Sequence, residues 1–336
     1  MKCYLVFFFF IGFISIGLAQ KSDFAHIDFR KADSIAHSYN RVSLKNMPLL
    51  VHQLTDGLNT QVEQFRAIHT WVCLNIESDH YFSEKTLRKR RELYNNKGAF
   101  NRWNVVAQAK VFKRLLKHKK TICSGYAYLV KTLANIANID CEIVDGYARS
   151  VRTNLHEAEF PNHSWNVVKL SGKWYLIDTT QASGFYDLDE HKFVKNYNDG
   201  YFLAPPELFA KNHYPLDENW LLLDNPISLK AFVNAPVIYG EAYKYGIIPQ
   251  MPITLVTQAS VGQEVKFQLK IFDKNIIDAI QLVELRSNGY RALKPIQTSF
   301  NDSFFNLKYR FKKKGNYDLH IKIKEDLVAS YTVKVV

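Results

Sequence analysis

The spacing of the apolar residues changes from helical to strand-like near residue 140, and this change limits the folds that the chain can adopt. Before that point the apolar side chains recur at helical spacing, which predicts helices at 61–76, 105–116 and 124–136. After it the apolar side chains alternate with a period of two residues, which predicts strands at 141–149, 164–170 and 174–178. This order predicts an α+β domain whose helices pack on one side of an antiparallel sheet.

A second change in pattern follows residue 252. Short β-rich runs, separated by turn residues such as those at 287–289, occur at 265–272, 279–285, 304–311, 318–323 and 329–335. This spacing predicts a small β-sandwich. The stretch between the two regions predicts short helices at 206–211 and 226–234. We therefore expect two domains, 20–250 and 251–336, in a chain too long for one small core.

The first 19 residues are predicted to lie outside both domains. A basic start at Lys2 precedes an apolar run from residue 4 to 18, and small residues stand at Gly17 and Ala19. This pattern is typical of a secretory signal peptide cleaved near Ala19. An uncleaved membrane anchor is the alternative, because the run is near the lower length limit for a span. The polar residues that follow favour cleavage, so we expect a secreted or periplasmic protein with no membrane span.

The chain is basic, with a net charge of +12, which becomes +11 when the lysine in residues 1–19 is removed. The cations concentrate at 85–91, 110–120 and 312–314. A positive surface favours anionic partners such as a cell-envelope polymer, although solvated helix faces are the simpler interpretation. For an exported chain we do not expect nucleic acid as a partner.

Three cysteines follow the predicted signal peptide, and an odd number leaves at least one thiol unpaired. Cys73 and Cys141 lie in apolar stretches, which predicts buried core thiols, with a bridge between them left open. Cys123 stands at the start of the third predicted helix, where free N–H groups and the helix dipole lower the pKa of a thiol. Cys123 is therefore the candidate nucleophile.

A predicted hairpin brings a histidine and an aspartate together. A two-residue loop at 171–172 pairs residue 170 with residue 173, which sets His163 opposite Thr180 and diagonal to Asp178. In this register Asp178 accepts the Nδ1–H of His163, and Nε2 faces the thiol. Cysteine, histidine and aspartate then form a nucleophile, base and orienting group. The alternative for Asp178 alone is a cap for the turn at 179–180.

Three segments resemble the signature blocks of the transglutaminase-like superfamily: 122–127 (ICSGYA), 163–166 (HSWN) and 174–180 (WYLIDTT). The helix at 67–76 is also similar to the one that precedes the core in that superfamily. Residues 201–209, together with those at 213–215 and Trp220, resemble the branch related to the kyphoscoliosis peptidase, which carries an immunoglobulin-like region. The resemblance covers roughly residues 61–229.

The resemblance implies a papain-like core, a C-terminal immunoglobulin-like domain, and Cys123, His163 and Asp178 as a catalytic triad. It also implies an acyl-enzyme on a protein or peptide amide that is passed to an amine or to water, as in a transglutaminase, protease or deamidase. A catalytically silent binding or scaffold protein of the cell envelope is the alternative, because Gln181 stands where the superfamily commonly has tryptophan.

The remaining site residues are less specific in sequence. The backbone N–H of Cys123 is the first candidate for an oxyanion donor, and the side chain of Gln108 is a second. The histidines are scattered without zinc spacing, so no metal and no cofactor are expected. The acidic residues at 187–190 could meet calcium, although a solvated loop is the simpler interpretation.

Overall fold

The computed structural model describes residues 21–40, 42–150, 160–187 and 189–336. The predicted signal peptide therefore lies outside the described residues. Within the described ranges, every helix is too short or too polar to cross a bilayer.

The helices and strands follow the change in pattern seen in the sequence. The α-helices in the described ranges are α1 (Arg30–Ser38), α2 (Met47–Thr55), α3 (Gln61–Asn75), α4 (His80–Leu93), α5 (Lys97–His118), α6 (Cys123–Ile136), α7 (Thr179–Ser183), α8 (Pro206–Phe209), α9 (Leu229–Asn234) and α10 (Gly240–Lys244). The strands up to residue 238 are β1 (Glu77–Ser78), β2 (Lys120–Thr121), β3 (Cys141–Ala148), β4 (His163–Leu170), β5 (Lys173–Ile177), β6 (Gly184–Asp187), β7 (Lys192–Lys195), β8 (His213–Pro215) and β9 (Val237–Ile238). The later strands are β10 (Ile247–Met251), β11 (Val256–Ala259), β12 (Glu264–Ile271), β13 (Ile280–Arg286), β14 (Gly289–Ala292), β15 (Gln297–Asn301), β16 (Phe304–Arg310), β17 (Gly315–Ile323) and β18 (Asp326–Val335).

The predicted α+β class is confirmed: helices pack on an antiparallel four-stranded sheet of order β5-β4-β3-β8. Helix α6 lies against β3 and β4, and α3 lies against α6. The predicted loop register is also confirmed, since Leu170 pairs with Lys173 and the ladder continues to Asn166 and Ile177. The predicted pairing of His163 with Thr180 is wrong, because β5 ends at Ile177 and the chain turns into α7.

Helix α3 is more deeply buried than its predicted amphipathic pattern indicates. Its start is fixed by a capping box in which Thr60 accepts from the Glu63 N–H and the Glu63 carboxylate accepts from the Thr60 N–H. Eleven of its 15 residues are buried, because α1, α2, α6 and α7 all pack against it. The buried guanidinium of Arg66 is neutralised by Asp33 and Asp199. The helix is therefore central to the domain.

The C-terminal region is all-β, as predicted. One sheet has the order β10-β12-β16-β15 and the other β11-β18-β17-β13-β14, with β9 paired to β18. Alternate residues of β12 face inward, with Val265, Phe267, Leu269 and Ile271 buried. The apolar core of this sandwich continues into the α+β region, where Tyr201 stacks on Tyr243 with ring centroids 4.0 Å apart. The two regions therefore share one buried surface.

Gly125, in the second position after Cys123, allows α6 to pack closely against the end of α5 and against β2. A methyl group at Gly125 would overlap Thr121 Oγ1 and come within 2.9 Å of Val111 Cγ1. Both neighbours are buried, so neither can move away without displacing a packed element.

Gly125→Ala is expected to lower the free energy of unfolding by about 1–3 kcal/mol, the usual cost of overpacking a core. Urea denaturation followed by circular dichroism measures this change. Gly98→Ala is the matched control, because its new methyl group would lie an ordinary 3.5 Å from the Arg102 guanidinium on α5. Equal stability of the two variants would contradict the close packing at Gly125.

Candidate active site

Cys123 is the first residue of α6, as the sequence predicts to within one residue. The preceding residue, Ile122, is extended with φ −104° and ψ 175°, and its side chain cannot cap the helix. The first N–H groups of a helix have no helical partner, and in α6 the N–H of Gly125 is already turned back to the Ile122 carbonyl, which leaves those of Cys123 and Ser124 nearest the sulfur. An uncapped helix start of this kind favours negative charge on the sulfur and on any bound oxyanion.

The surroundings of Cys123 stabilise its thiolate. Burial disfavours the charged form, yet the hydrogen bond from His163, the charges of His163 and Arg90, and the backbone N–H of Ser164 together hold the pKa of the thiol below its ordinary value. The side chain is only half-buried. The residue is therefore partly exposed, and its surroundings favour the thiolate form.

His163 begins β4 and binds Asp178 from the neighbouring chain segment. The distance from His163 Nε2 to Asp178 Oδ2 is 2.7 Å. The prediction that Nδ1 faces the aspartate is therefore wrong: Nε2 does so, which leaves Nδ1 for the thiol. The reason is that Asp178 approaches from the end of β5, and not from a ladder position diagonal to His163.

The two carboxylate oxygens of Asp178 have different hydrogen-bond partners. Oδ1 accepts the backbone N–H of Gln181 at 3.0 Å and so caps the start of α7. Oδ2 accepts from His163, and the whole side chain is fully buried. Asp178 therefore does both things that the sequence suggested: it caps the turn after β5 and it contacts the histidine. Capping fixes the orientation of the carboxylate, and this orientation aims Oδ2 at the imidazole.

A second histidine, which the sequence analysis did not assign to the site, completes this cluster. His213 on β8 places Nε2 2.9 Å from Asp178 Oδ2. Its ring stacks on Phe209, with centroids 3.9 Å apart, and its Nδ1 lies 2.7 Å from the side-chain amide of Asn212. That amide also contacts the Tyr243 hydroxyl of α10. In the sequence, the segment at 213–215 resembles the family branch, but its spacing from Asp178 does not predict that the two residues are in contact.

The two histidines on Asp178 differ in charge. Burial alone would lower the pKa of His163, but the charge and hydrogen bond of Asp178, with the contact to Cys123, raise it to about 10. Burial lowers the pKa of His213, and Asp178 only partly offsets this. His163 is thus an imidazolium at neutral pH, whereas His213 is a neutral donor. Burial would raise the pKa of Asp178, but both histidines hold it far below the ordinary value.

His163, Asp178 and His213 are also the one group among the described residues whose ligand atoms lie close enough together for a metal ion. Hydrogen bonds of 2.7 Å and 2.9 Å already join them. A metal would need both imidazoles unprotonated at the bound nitrogen, and the raised pKa of His163 opposes this. A hydrogen-bonded cluster accounts for the arrangement better than a metal site does.

Gln108 and two tryptophans, Trp165 and Trp103, lie in different parts of the domain. Gln108 is exposed on α5, and no hydrogen bond among the described residues joins it to Cys123, so its role as an oxyanion donor stays a prediction. Trp165 is buried, with its ring centroid 6.1 Å from that of His163. Trp103 lines a groove between α4 and α5.

The other two thiols of the described chain are free, so the bridge that the sequence left open is absent. Burial raises the pKa of Cys73 to about 12, and it has the same effect on Cys141. Both are buried, so they differ from Cys123 in pKa and in access. They provide internal controls for labelling.

We expect iodoacetamide to label Cys123 with an apparent pKa below the roughly 8.5 of a free thiol. Asp178→Asn keeps a side-chain oxygen to cap α7 but removes the charge behind His163, so the apparent pKa is expected to rise toward the free value. Mass spectrometry of labelled peptides across a pH series measures this. The other two cysteines should label slowly throughout. An unchanged profile in Asp178→Asn would contradict the electrostatic link.

His213→Leu is expected to lower the free energy of unfolding by about 1.5–3 kcal/mol, because a buried hydrogen bond to a charged acceptor is lost. Urea denaturation at pH 7 measures the change. His52→Leu, at an exposed position on α2, is the matched control and should be close to neutral. If the two variants were equally stable, His213 would contribute nothing to holding Asp178.

Residues 49–179 match the family model of the transglutaminase-like superfamily. The kyphoscoliosis peptidase of Mus musculus is 32% identical over 257 residues, covering 69% of this chain and 36% of the relative. The Homo sapiens protein of the same name is 29% identical over 334 residues, covering 90% of this chain and 46% of the relative. The chain thus spans less than half the length of these relatives.

Hillarin of Drosophila melanogaster is 28% identical and covers 66% of this chain and 26% of its own length. A solved structure described as a TGase aligns with 56% of this chain and 40% of its own, at 16% identity and a TM-score of 0.28. The matched family model includes both Cys123 and Asp178. The chain therefore carries a transglutaminase-like domain and belongs to that superfamily, in the branch of the kyphoscoliosis peptidase.

Proposed function

We propose that this chain is a thiol enzyme that forms an acyl-enzyme on Cys123 with a protein or peptide amide. The observation that carries the proposal is a half-buried thiol at an uncapped helix start, hydrogen-bonded to an imidazole that a fully buried aspartate orients. Such a set is hard to explain as packing, because burying charge is unfavourable unless the charges act on one another.

In the first step the Cys123 thiolate attacks the amide carbonyl carbon, and a C–S bond forms. The negative charge that develops on the carbonyl oxygen is stabilised by backbone N–H groups at the start of α6, with that of Cys123 first among them. His163 gives its Nδ1 proton to the leaving nitrogen as the C–N bond breaks. A thioester on Cys123 and a free amine or ammonia result.

In the second step an amine or water attacks the thioester and gives a proton to His163. The C–S bond breaks, which restores the thiolate beside the imidazolium. Asp178 stays ionised throughout, because its pKa is held far below neutrality, and it keeps the imidazole ring in place. Transfer to an amine crosslinks proteins, whereas transfer to water is proteolysis or deamidation.

We further propose that the enzyme acts after export, with residues 1–19 removed, and that it meets protein substrates or an anionic cell-envelope surface outside the cytoplasm. The support is the apolar run at 4–18 and the basic charge of the chain.

The test is incubation with a glutamine-containing peptide, with and without a fluorescent primary amine. We expect a covalent peptide adduct on Cys123 in the intact-mass spectrum, followed by amine incorporation, ammonia release or peptide cleavage. Cys123→Ala should reduce product formation more than about 10⁴-fold, as for other acyl-transfer nucleophiles. Cys141→Ala is the matched control. A folded protein that forms no adduct and no product would favour the scaffold alternative.

A further inference from the structure

Nearly all of the net positive charge of the chain lies in one segment. Residues 80–120, which we call the basic hairpin, contain 13 lysines and arginines and two acidic residues, a net charge of +11. The whole chain has a net charge of +12, so the rest of it is nearly neutral. Like charges packed on two adjacent helices repel one another, so such a concentration destabilises the fold unless a ligand neutralises it.

The basic hairpin consists of α4 and α5, and a cavity of about 350 Å³ lies between them. Its walls combine cations with apolar groups, namely Phe82, Lys85, Thr86, Arg88, Lys89, Glu92, Trp103, Val106, Ala107 and Lys110. Val105 and Val106 are more than half exposed beside it. A ligand that fills this groove therefore carries both anionic and apolar groups.

Three of the cations around the groove lie outside the close ion pairs of the described residues. Lys85, Arg88 and Lys110 are exposed and form no ion pair with another described residue. Three other cations of the hairpin are paired with acidic residues, namely Lys89 with Glu92, Arg114 with Asp79 and Lys120 with Glu77. The groove therefore presents positive charge that is not neutralised by an ion pair.

The basic hairpin also lies next to the candidate active site. The charge of Arg90, on α4, acts on the Cys123 sulfur. The guanidinium of Arg91 lies 5.5 Å from the ring centroid of Phe160, which precedes His163 by three residues. Tyr94 packs on the same ring, with centroids 6.2 Å apart. A chain bound along α4 would therefore pass close to the thiol.

We propose that the basic hairpin binds an acidic, partly apolar segment of a polypeptide substrate and presents the adjoining amide to Cys123. This inference rests on the proposed function, because it names the substrate class for that site. The cavity between the two helices has room for a few side chains of such a segment, and carboxylate and apolar side chains match its walls. A sulfated polysaccharide lacks the apolar groups, and a membrane surface cannot enter a groove.

Binding is measured by fluorescence anisotropy on the Cys123→Ser protein, so that no thiol chemistry contributes. The probe is a labelled peptide of about 12 residues that alternates glutamate with leucine, and its glutamine counterpart is the uncharged reference. The variant Lys85→Glu/Arg88→Glu/Lys110→Glu reverses the unpaired cations of the groove. The variant Lys312→Glu/Lys313→Glu/Lys314→Glu makes the same change in net charge at exposed positions of the sandwich.

We expect the acidic peptide to bind more tightly than its glutamine counterpart and to weaken as salt rises from about 0.05 to 0.5 M. The groove variant should raise its Kd at least tenfold, whereas the sandwich variant should change it less than twofold. Circular dichroism should show that both variants are folded.

Equal weakening in the two variants would mean that only net charge matters, and the proposal would be wrong. It would also be wrong if phosphatidylglycerol vesicles or dextran sulfate bound the hairpin while the peptide did not. Failure of the proposed function is a separate result: peptide binding without any acyl-enzyme in the Cys123 protein leaves the docking surface intact. If the groove variant turned over acidic peptides as fast as the unchanged protein, the proposed docking surface would be wrong, while the proposed enzyme function would stand.

Discussion

The arrangement of the site depends on one buried carboxylate whose two oxygens are held separately. Oδ1 of Asp178 caps the start of α7 by accepting the Gln181 N–H, while Oδ2 accepts hydrogen bonds from two imidazoles. Because the helix cap removes the rotational freedom of the side chain, the histidine contact does not have to supply that order. The same carboxylate keeps the His163 imidazole charged, whereas burial keeps the His213 imidazole neutral. A single buried anion therefore stabilises one cation and accepts a hydrogen bond from one neutral ring.

The sequence predicted the parts of this arrangement that depend on local pattern. The helix that starts at Cys123, the loop register at 170–173 and the sandwich strands follow from periodicity and turn chemistry, and the structure has them. Helix α4 was missed because half of its 14 residues are charged and its few apolar residues give no helical period. The start of α5 was missed for a related reason, since its exposed N-terminal turns carry little apolar pattern.

Tertiary contacts account for the errors at the site. The register rule places residues across a ladder, but it does not say where a strand stops, and β5 stops one residue before Asp178. The choice of imidazole nitrogen depends on that ending. His213 could not be found from spacing, because it lies 35 residues beyond Asp178 on another strand. Its neighbour Asn212 and the hydroxyl of Tyr243 are likewise brought in by folding alone.

The position of His213 shows that the segment matched by the family model is shorter than the segment that supports the candidate site. The family match ends at residue 179, directly after Asp178. The hydrogen bonds that hold this aspartate continue through β8 to α10, immediately before β10 of the four-stranded sandwich sheet. A fragment cut at the edge of the homologous segment would keep all three members of the triad and lose the support behind them. The smallest piece of this chain that can keep the site intact therefore extends beyond the family-model match, through β8 to α10.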